Sequence, residues 1–327
     1  MAHIYIYSPA GAVRDKAAFK RGVQRLKTLG HEVEIDAAAL KSVQRFAGDD
    51  SERLASIERA AASGADVALI SRGGYGLSRG LPLINYKAVA KSIERGTIWV
   101  GVSDFTAFQA ALFAKTGAVS WAGPSLCADF GCSDSAEGHD NAPDDIMEAC
   151  FDDLVQGVCE GAGWSMPAID FKNATKSIAL SADNTPGSSL FSIKIAPTNA
   201  PLWGGNLAML TSLLGTPYLP PIKKGILWFE DVAEHPYKVE RMLLQWLHSG
   251  ILAQQKAIVF GQFTSYKLTP HDKGFKLQTV IDRLRSQLKI PVLTGLPFGH
   301  VPTKVCLPFG SKTQLLVDGR DALLYWG

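Results

Sequence analysis

"GVSDFTAFQAALFAKTG", Gly101–Gly117, joins a strand to a helix through one sharp corner. The apolar run that begins at Thr97 stops at Ser103–Asp104, and Phe105, Phe108, Leu112 and Phe113 then recur at helical spacing. For a generic corner of this kind, capping the helix is the ordinary work of Ser103. The alternative is a serine nucleophile held at a strand-to-helix elbow. The elbow pattern G-x-S-x-G is incomplete, because its second glycine position holds Phe105.

Outward from the corner the same alternation repeats. "HIYIYSP", "HEVEID", "ADVALIS" and "TIWVGVSD" read as strands, and residues 15–29, "SERLASIERAAAS" and "YKAVAKSIERG" read as helices between them. Alternation of this kind predicts a mostly parallel sheet covered by helices on both faces, with ligand sites beyond the carboxyl ends of its strands. "SRGGYG" and "GVSD" both fall at such ends. An acidic, turn-rich stretch from about Asp129 to Gly163 includes a helix, "IMEACFDDLVQGV". It closes a first domain, taken as residues 1–165. "WSMPAIDFKNATKSIALSADNTPGSS" reads as irregular chain with short strands leading into a second domain, residues 166–327. There "KGILWFED", "QKAIVFGQF", "PVLTGLP", "KVCLPFG" and "TQLLVD" are strand-like, and "PYKVERMLLQWLHSG" and residues 276–288 are helical.

With 327 residues, two domains are expected. Lys plus Arg number 33 against 31 acids, a formal charge of +2, which leaves no electrostatic footprint for nucleic acid or an anionic membrane. Five cysteines without a CxxC pair argue against a disulfide framework and a structural zinc site, and suit reduced thiols in the cytoplasm. "MAHIYIYSPAG" has no apolar core of a signal peptide. The uncharged stretch between Lys194 and Lys223 is broken by five prolines, so it is not a transmembrane helix.

The glycines of "SRGGYGLSRG" would let backbone N–H groups face an anion. The stretch has no GK[ST], and it misses GxGxxG at Arg79, so a nucleotide site is not expected. Glu94 lies on a helix, the wrong context for a ribose ligand. A serine nucleophile needs a base, and the base needs an acid to orient it. "GILWFED" carries Glu230 to the end of an apolar strand, where a carboxylate needs a partner; Asp231 and Glu234 read as solvated loop acids. "LPFGHVP" places His300 at a strand end. His235 and His271 lie beside prolines with no catalytic frame, and no histidine has metal-site spacing.

"SRGGYGLSRGLPLIN", "GVSDFTAFQAAL", "AGPSL", "PLWGGNLAML", "LGTPY", "LWFEDVAEHPYKVERML" and "FGHVPTKVCLPFG" follow one another in this order. Together they resemble the LD-carboxypeptidases, serine peptidases of the murein tetrapeptide carboxypeptidase type, which also include the microcin C immunity peptidases. The resemblance spans nearly the whole chain. It implies a Rossmann-like N-terminal domain carrying Ser103 as nucleophile and a smaller C-terminal α/β domain carrying Glu230 and His300, with the site in the cleft between them. It implies an oxyanion hole drawn from the N–H of Asp104 with Gly73 or Gly74. It also implies a murein tetrapeptide substrate cleaved to release D-alanine, a homodimer, and no metal or cofactor. Where many members have Pro-Asn after the histidine, this chain has Thr303-Lys304, and the polar residues 129–145 match no family motif. Two alternatives stand beside this reading. One is an immunity peptidase cleaving aminoacyl-nucleotide antibiotics, which calls for aromatic stacking by residues such as Trp121, Trp203 or Trp228. The other is a catalytically silent binding module of the same fold.

Overall fold

The computed structural model describes residues 1–133, 143–179 and 192–327. Most of the acidic turn-rich stretch, 134–142, and the tail of the expected irregular crossing, 180–191, lie outside the described residues. Contact density divides the chain into two compact units. The first comprises Met1–Cys159, Leu213–Pro220 and Pro302–Phe309, and the second Glu160–Ser212, Pro221–Val301 and Gly310–Gly327.

In the first unit, β1 (His3–Tyr7), β2 (Glu32–Ile35), β3 (Val67–Ile70), β4 (Ile98–Gly101) and β5 (Ser120–Ala122) lie side by side in the order 5-4-3-1-2, all parallel. This is a doubly wound order, with its reversal between β1 and β3. β3 and β4 are apolar along almost their whole length because helices cover both faces. The helix Asp50–Ala62 begins at a capping box between Asp49 and Glu52, and it buries Ile57 and Ala61. The helix Phe105–Thr116 departs from the expected one-sided pattern. Phe105, Ala107, Phe108, Ala110, Ala111 and Leu112 are all buried, while Phe113 is half-exposed. This is a central helix enclosed on nearly every side.

The second unit is built on β6 (Gly161–Ser165), β7 (Ser192–Asn206), β8 (Ile226–Val232), β9 (Ala257–Thr264) and β10 (Val292–Thr294). "KVCLPFG", expected in the second domain, instead supplies β11 (Leu307–Phe309), which pairs antiparallel with β5 at the edge of the first sheet. β12 (Lys312–Asp318) and β13 (Asp321–Tyr325) return to the second sheet, whose order is 10-9-8-7-12-13-6. Its first four strands are parallel and the rest pair antiparallel. The long strand β7 serves both parts, pairing with β12 early and β8 late. The unit boundary falls at Cys159/Glu160 rather than 165/166, because Gly161–Ser165 pairs with β13. Residues 168–179, expected as irregular chain, form a helix. No helix among the described residues is long and apolar enough to cross a membrane.

Candidate active site

In the first unit, β4 delivers the chain to Val102, Ser103 and Asp104. Ser103 is half-buried and has φ of 67°, in the left-handed region. That conformation costs a non-glycine residue about 1–2 kcal/mol, so the surrounding structure must impose it. The constraint is visible on both sides. Gly101 is packed so closely that a Cβ there would lie 2.6 Å from the Phe105 ring. Phe105 in turn stacks on Phe108 (4.9 Å between centroids), and Phe108 on Trp99 (5.4 Å). Phe105 thus fills the place of the missing elbow glycine by folding back on Gly101. The helix start carries no side-chain cap, and the residue in the capping position is Asp104. Capping by Ser103, the ordinary expectation for this corner, is not what the structure holds.

The glycine-rich loop after β3 packs against the corner. A Cβ on Gly73 would lie 2.6 Å from Ser103 Cβ and 2.9 Å from its Oγ, so only glycine fits there. Gly74 has φ of 112° and faces Gly11, whose Cα is 3.2 Å from where its Cβ would be. The Asp104 carboxylate is fully buried and accepts the Leu77 N–H at 2.9 Å, tying the corner to the end of this loop. Burial pushes the Asp104 pKa up to about 6, against the opposing pull of the Leu77 N–H and the Arg53 charge. A raised carboxyl pKa means the folded chain holds the proton more firmly than the unfolded one. This contribution to stability therefore declines as pH rises from about 4 to about 6. Asp104→Asn, which can keep the bond from Leu77, should gain on wild type across that window, by about 3 kcal/mol at most. Urea denaturation at a series of pH values checks this. A difference that stays flat with pH would refute it.

In the second unit, Glu230 lies near the end of β8 and is fully buried. Its Oε2 bonds His300 Nδ1 at 2.7 Å, and its Oε1 accepts from Asn206 Nδ2 at 3.2 Å. Asn206 sits opposite Glu230 in the parallel register of β7 and β8. The same amide donates to Asp231 Oδ1 at 2.9 Å. Asp231 is not the solvated loop acid expected of it. β8 is an interior strand buried on both faces, so successive residues are both enclosed. Asp231 also accepts the Ala208 and Val232 N–H groups, and burial, followed by the adjacent Glu230 charge, pushes its pKa up to about 6. Glu234 is partly exposed beside Lys238.

Gly299, at φ of 148°, lets the His300 loop settle on β9, where a Cβ would lie 2.8 Å from Gln262 O. The Thr264 hydroxyl donates to the His300 carbonyl at 3.3 Å. With Nδ1–H donated to Glu230, the neutral imidazole carries its lone pair on Nε2. His235 instead accepts the Tyr237 N–H at its helix start and meets Asp272 at 3.3 Å. Among the described residues no cluster of three or more His, Cys, Asp or Glu could hold a metal ion.

Thr303 and Lys304, the departure from the family pattern, are anchored within the first unit. The Thr303 hydroxyl donates to Asp144, and Lys304 forms a buried ion pair with Asp129. Sequence reasoning did not single out Asn206. Its only signal was its place in "PLWGGNLAML", and its pairing opposite Glu230 depends on strand register.

Residues 4–123 match the LD-carboxypeptidase N-terminal domain and residues 199–315 the LD-carboxypeptidase C-terminal domain. The muramoyltetrapeptide carboxypeptidase from Oxalobacter formigenes superimposes with a TM-score of 0.79 at 37% identity, over 98% of this chain and 97% of that one. The "Probable murein peptide carboxypeptidase" of Bacillus subtilis is 27% identical over 92% of this chain and 85% of its own. The microcin C7 self-immunity protein MccF of Escherichia coli is 24% identical over 96% of this chain and 90% of its own. Fold and sequence together define a serine-type carboxypeptidase, a hydrolase of peptide bonds. The chain belongs to the LD-carboxypeptidase family.

Proposed function

We propose that this carboxypeptidase hydrolyses the L,D-peptide bond that releases terminal D-alanine from murein tetrapeptides, in cytoplasmic peptidoglycan recycling and as a homodimer. Ser103 is the nucleophile, His300 the base and Glu230 the group that orients it. The observation that carries this reading is the buried bond between Glu230 and His300 Nδ1, at 2.7 Å. It is supported by the forced left-handed turn at Ser103, and by the murein substrate that the names of the Oxalobacter and Bacillus proteins print. The first domain thus supplies the nucleophile and the second the acid and the base.

The chemistry follows from these roles. Ser103 Oγ attacks the scissile carbonyl carbon while His300 Nε2 takes its proton, and Glu230 stabilises the resulting imidazolium. The oxyanion is met by the Asp104 N–H and by the glycine loop. Gly73, which packs against the Ser103 side chain, is favoured over Gly74. The imidazolium then protonates the departing D-alanine amine, and water reverses the sequence to free the acyl product.

The nucleotide-antibiotic alternative called for exposed aromatic faces. Trp203 and Trp228 are 0% and 1% exposed, enclosed in the core of their unit, so neither can stack on a base. Trp121 is half-buried and packs against the apolar core of the first unit. Neither Trp203 nor Trp228 therefore supports the nucleotide reading. Incubation with murein tetrapeptide and, separately, with an aminoacyl-nucleotide substrate, followed by mass spectrometry, should show D-alanine and tripeptide from the first. Cleavage of the nucleotide substrate alone would refute the proposal.

A further inference from the structure

A carboxypeptidase must recognise a free carboxylate one residue beyond the bond it cuts. The loops after β1 and β3 meet at the reversal of strand order, where Gly11 N–H bonds the Gly73 carbonyl at 3.3 Å. The Arg72 guanidinium lies over this junction. Its Nη1 donates to Ala12 O at 3.0 Å, and a Cβ on Gly11 would come within 2.8 Å of that same nitrogen. Arg14 follows Ala12 by two residues, the Arg45 carbonyl accepts the Ala12 N–H at 3.0 Å, and the Arg14 and Arg45 charges both act on Arg72, so three arginines from three neighbouring loops gather here.

Among the described residues, none of the three forms an ion pair. The nearby Asp15 is committed to the start of the helix Lys16–Thr28, accepting from Ala17 and Ala18, and to Arg21. Arg72 is half-buried. Burial first, and then the Arg14 and Arg45 charges, hold its pKa below the usual arginine range, while Cys127 pulls the other way. The cluster is therefore uncompensated positive charge, partly withdrawn from water, in the residue next to Gly73. An anion placed there would relieve it.

We propose that Arg72, supported by Arg14 and Arg45, binds the terminal carboxylate of the peptide and confines the enzyme to the last bond of the chain. The proposal rests on Ser103 as nucleophile, because it is Gly73 that touches Ser103. In a C-terminal residue the carboxylate carbon lies only about 3–4 Å from the scissile carbonyl carbon. A guanidinium beside the oxyanion glycine is in the right place for it. The planar fork matches a carboxylate in two parallel N–H···O bonds, which lysine does not reproduce.

The test compares the tetrapeptide acid with its C-terminal carboxamide. Wild type should favour the acid in kcat/KM by about 100-fold, the range for hydrogen bonds to a charged group. Arg72→Gln should carry most of that loss in KM, and the acid should lose far more than the amide, so the ratio falls toward one. Arg72→Lys should restore little of it. Arg14→Gln and Arg45→Gln, both at exposed positions that guard against a folding failure at Arg72, should each raise KM for the acid by about three- to tenfold. An acid-to-amide ratio unchanged in all four variants overturns the proposal. A separate arm measures binding of the acid to Ser103→Ala by calorimetry, with and without Arg72→Gln. An Arg72-dependent affinity there supports the carboxylate site even if Ser103 proves not to be the nucleophile. Equal affinities overturn the site and leave the nucleophile assignment standing.

Discussion

Ser103→Ala is expected to lower kcat for D-alanine release by on the order of 10^4–10^6-fold while leaving the fold intact. In the proposed mechanism nucleophile and base act as a unit, so His300→Ala should cost about as much, and the double variant little more. Stability should move by less than about 1 kcal/mol. The Ser103 side chain caps no helix, and alanine meets the same left-handed strain at φ of 67° that serine does. Tetrapeptide affinity should persist. The measurement is D-alanine release by coupled assay beside equilibrium binding. A variant that releases D-alanine at the wild-type rate would place the nucleophile elsewhere.

Glu230→Gln should cost about 10^4-fold in kcat, the scale seen when a triad carboxylate becomes an amide. The structure supplies a specific reason. Two donors face the carboxylate, His300 Nδ1–H on one oxygen and the Asn206 amide on the other. Glutamine offers one oxygen and one NH2, so it can satisfy only one of them. If its oxygen serves Asn206, its NH2 drives the imidazole to the tautomer protonated on Nε2, which cannot take the Ser103 proton. If its oxygen serves His300, two NH2 groups meet in a buried site. In either arrangement the charge that stabilises the imidazolium is gone. Leaving a buried donor unmet also costs about 1–3 kcal/mol of stability. Retention of more than about a tenth of wild-type kcat would remove Glu230 from the mechanism, and imidazole nitrogen shifts by NMR would report the tautomer directly.

Much of this was legible in the residues. The alternation of apolar runs and helical spacings from His3 to Gly117 located the parallel strands and the turns at their carboxyl ends, because each pattern depends only on neighbours within a few positions. "GVSD", "FED" and "FGH" marked Ser103, Glu230 and His300 as candidates, and the order of the family motifs named the peptidase class. The helix Pro236–His248 was readable down to its first-turn proline.

What local sequence could not decide was everything set by contacts between distant segments. "KVCLPFG" reads as a strand, but nothing within it says that it would close the edge of the first sheet against β5. Asp231 reads as a loop acid, and becomes a buried carboxyl because β8 has strands on both sides and cover on both faces. Asn206 joins the Glu230 site only through the register of β7 against β8. Arg72, Arg14 and Arg45 are ordinary surface cations in the sequence. They become one uncompensated cluster because the doubly wound order sets the end of β1 beside the end of β3. Periodicity and capping act over a few residues, and the chain alone carries them. Strand order, register and burial are fixed by packing across tens to hundreds of residues, which only the folded chain provides.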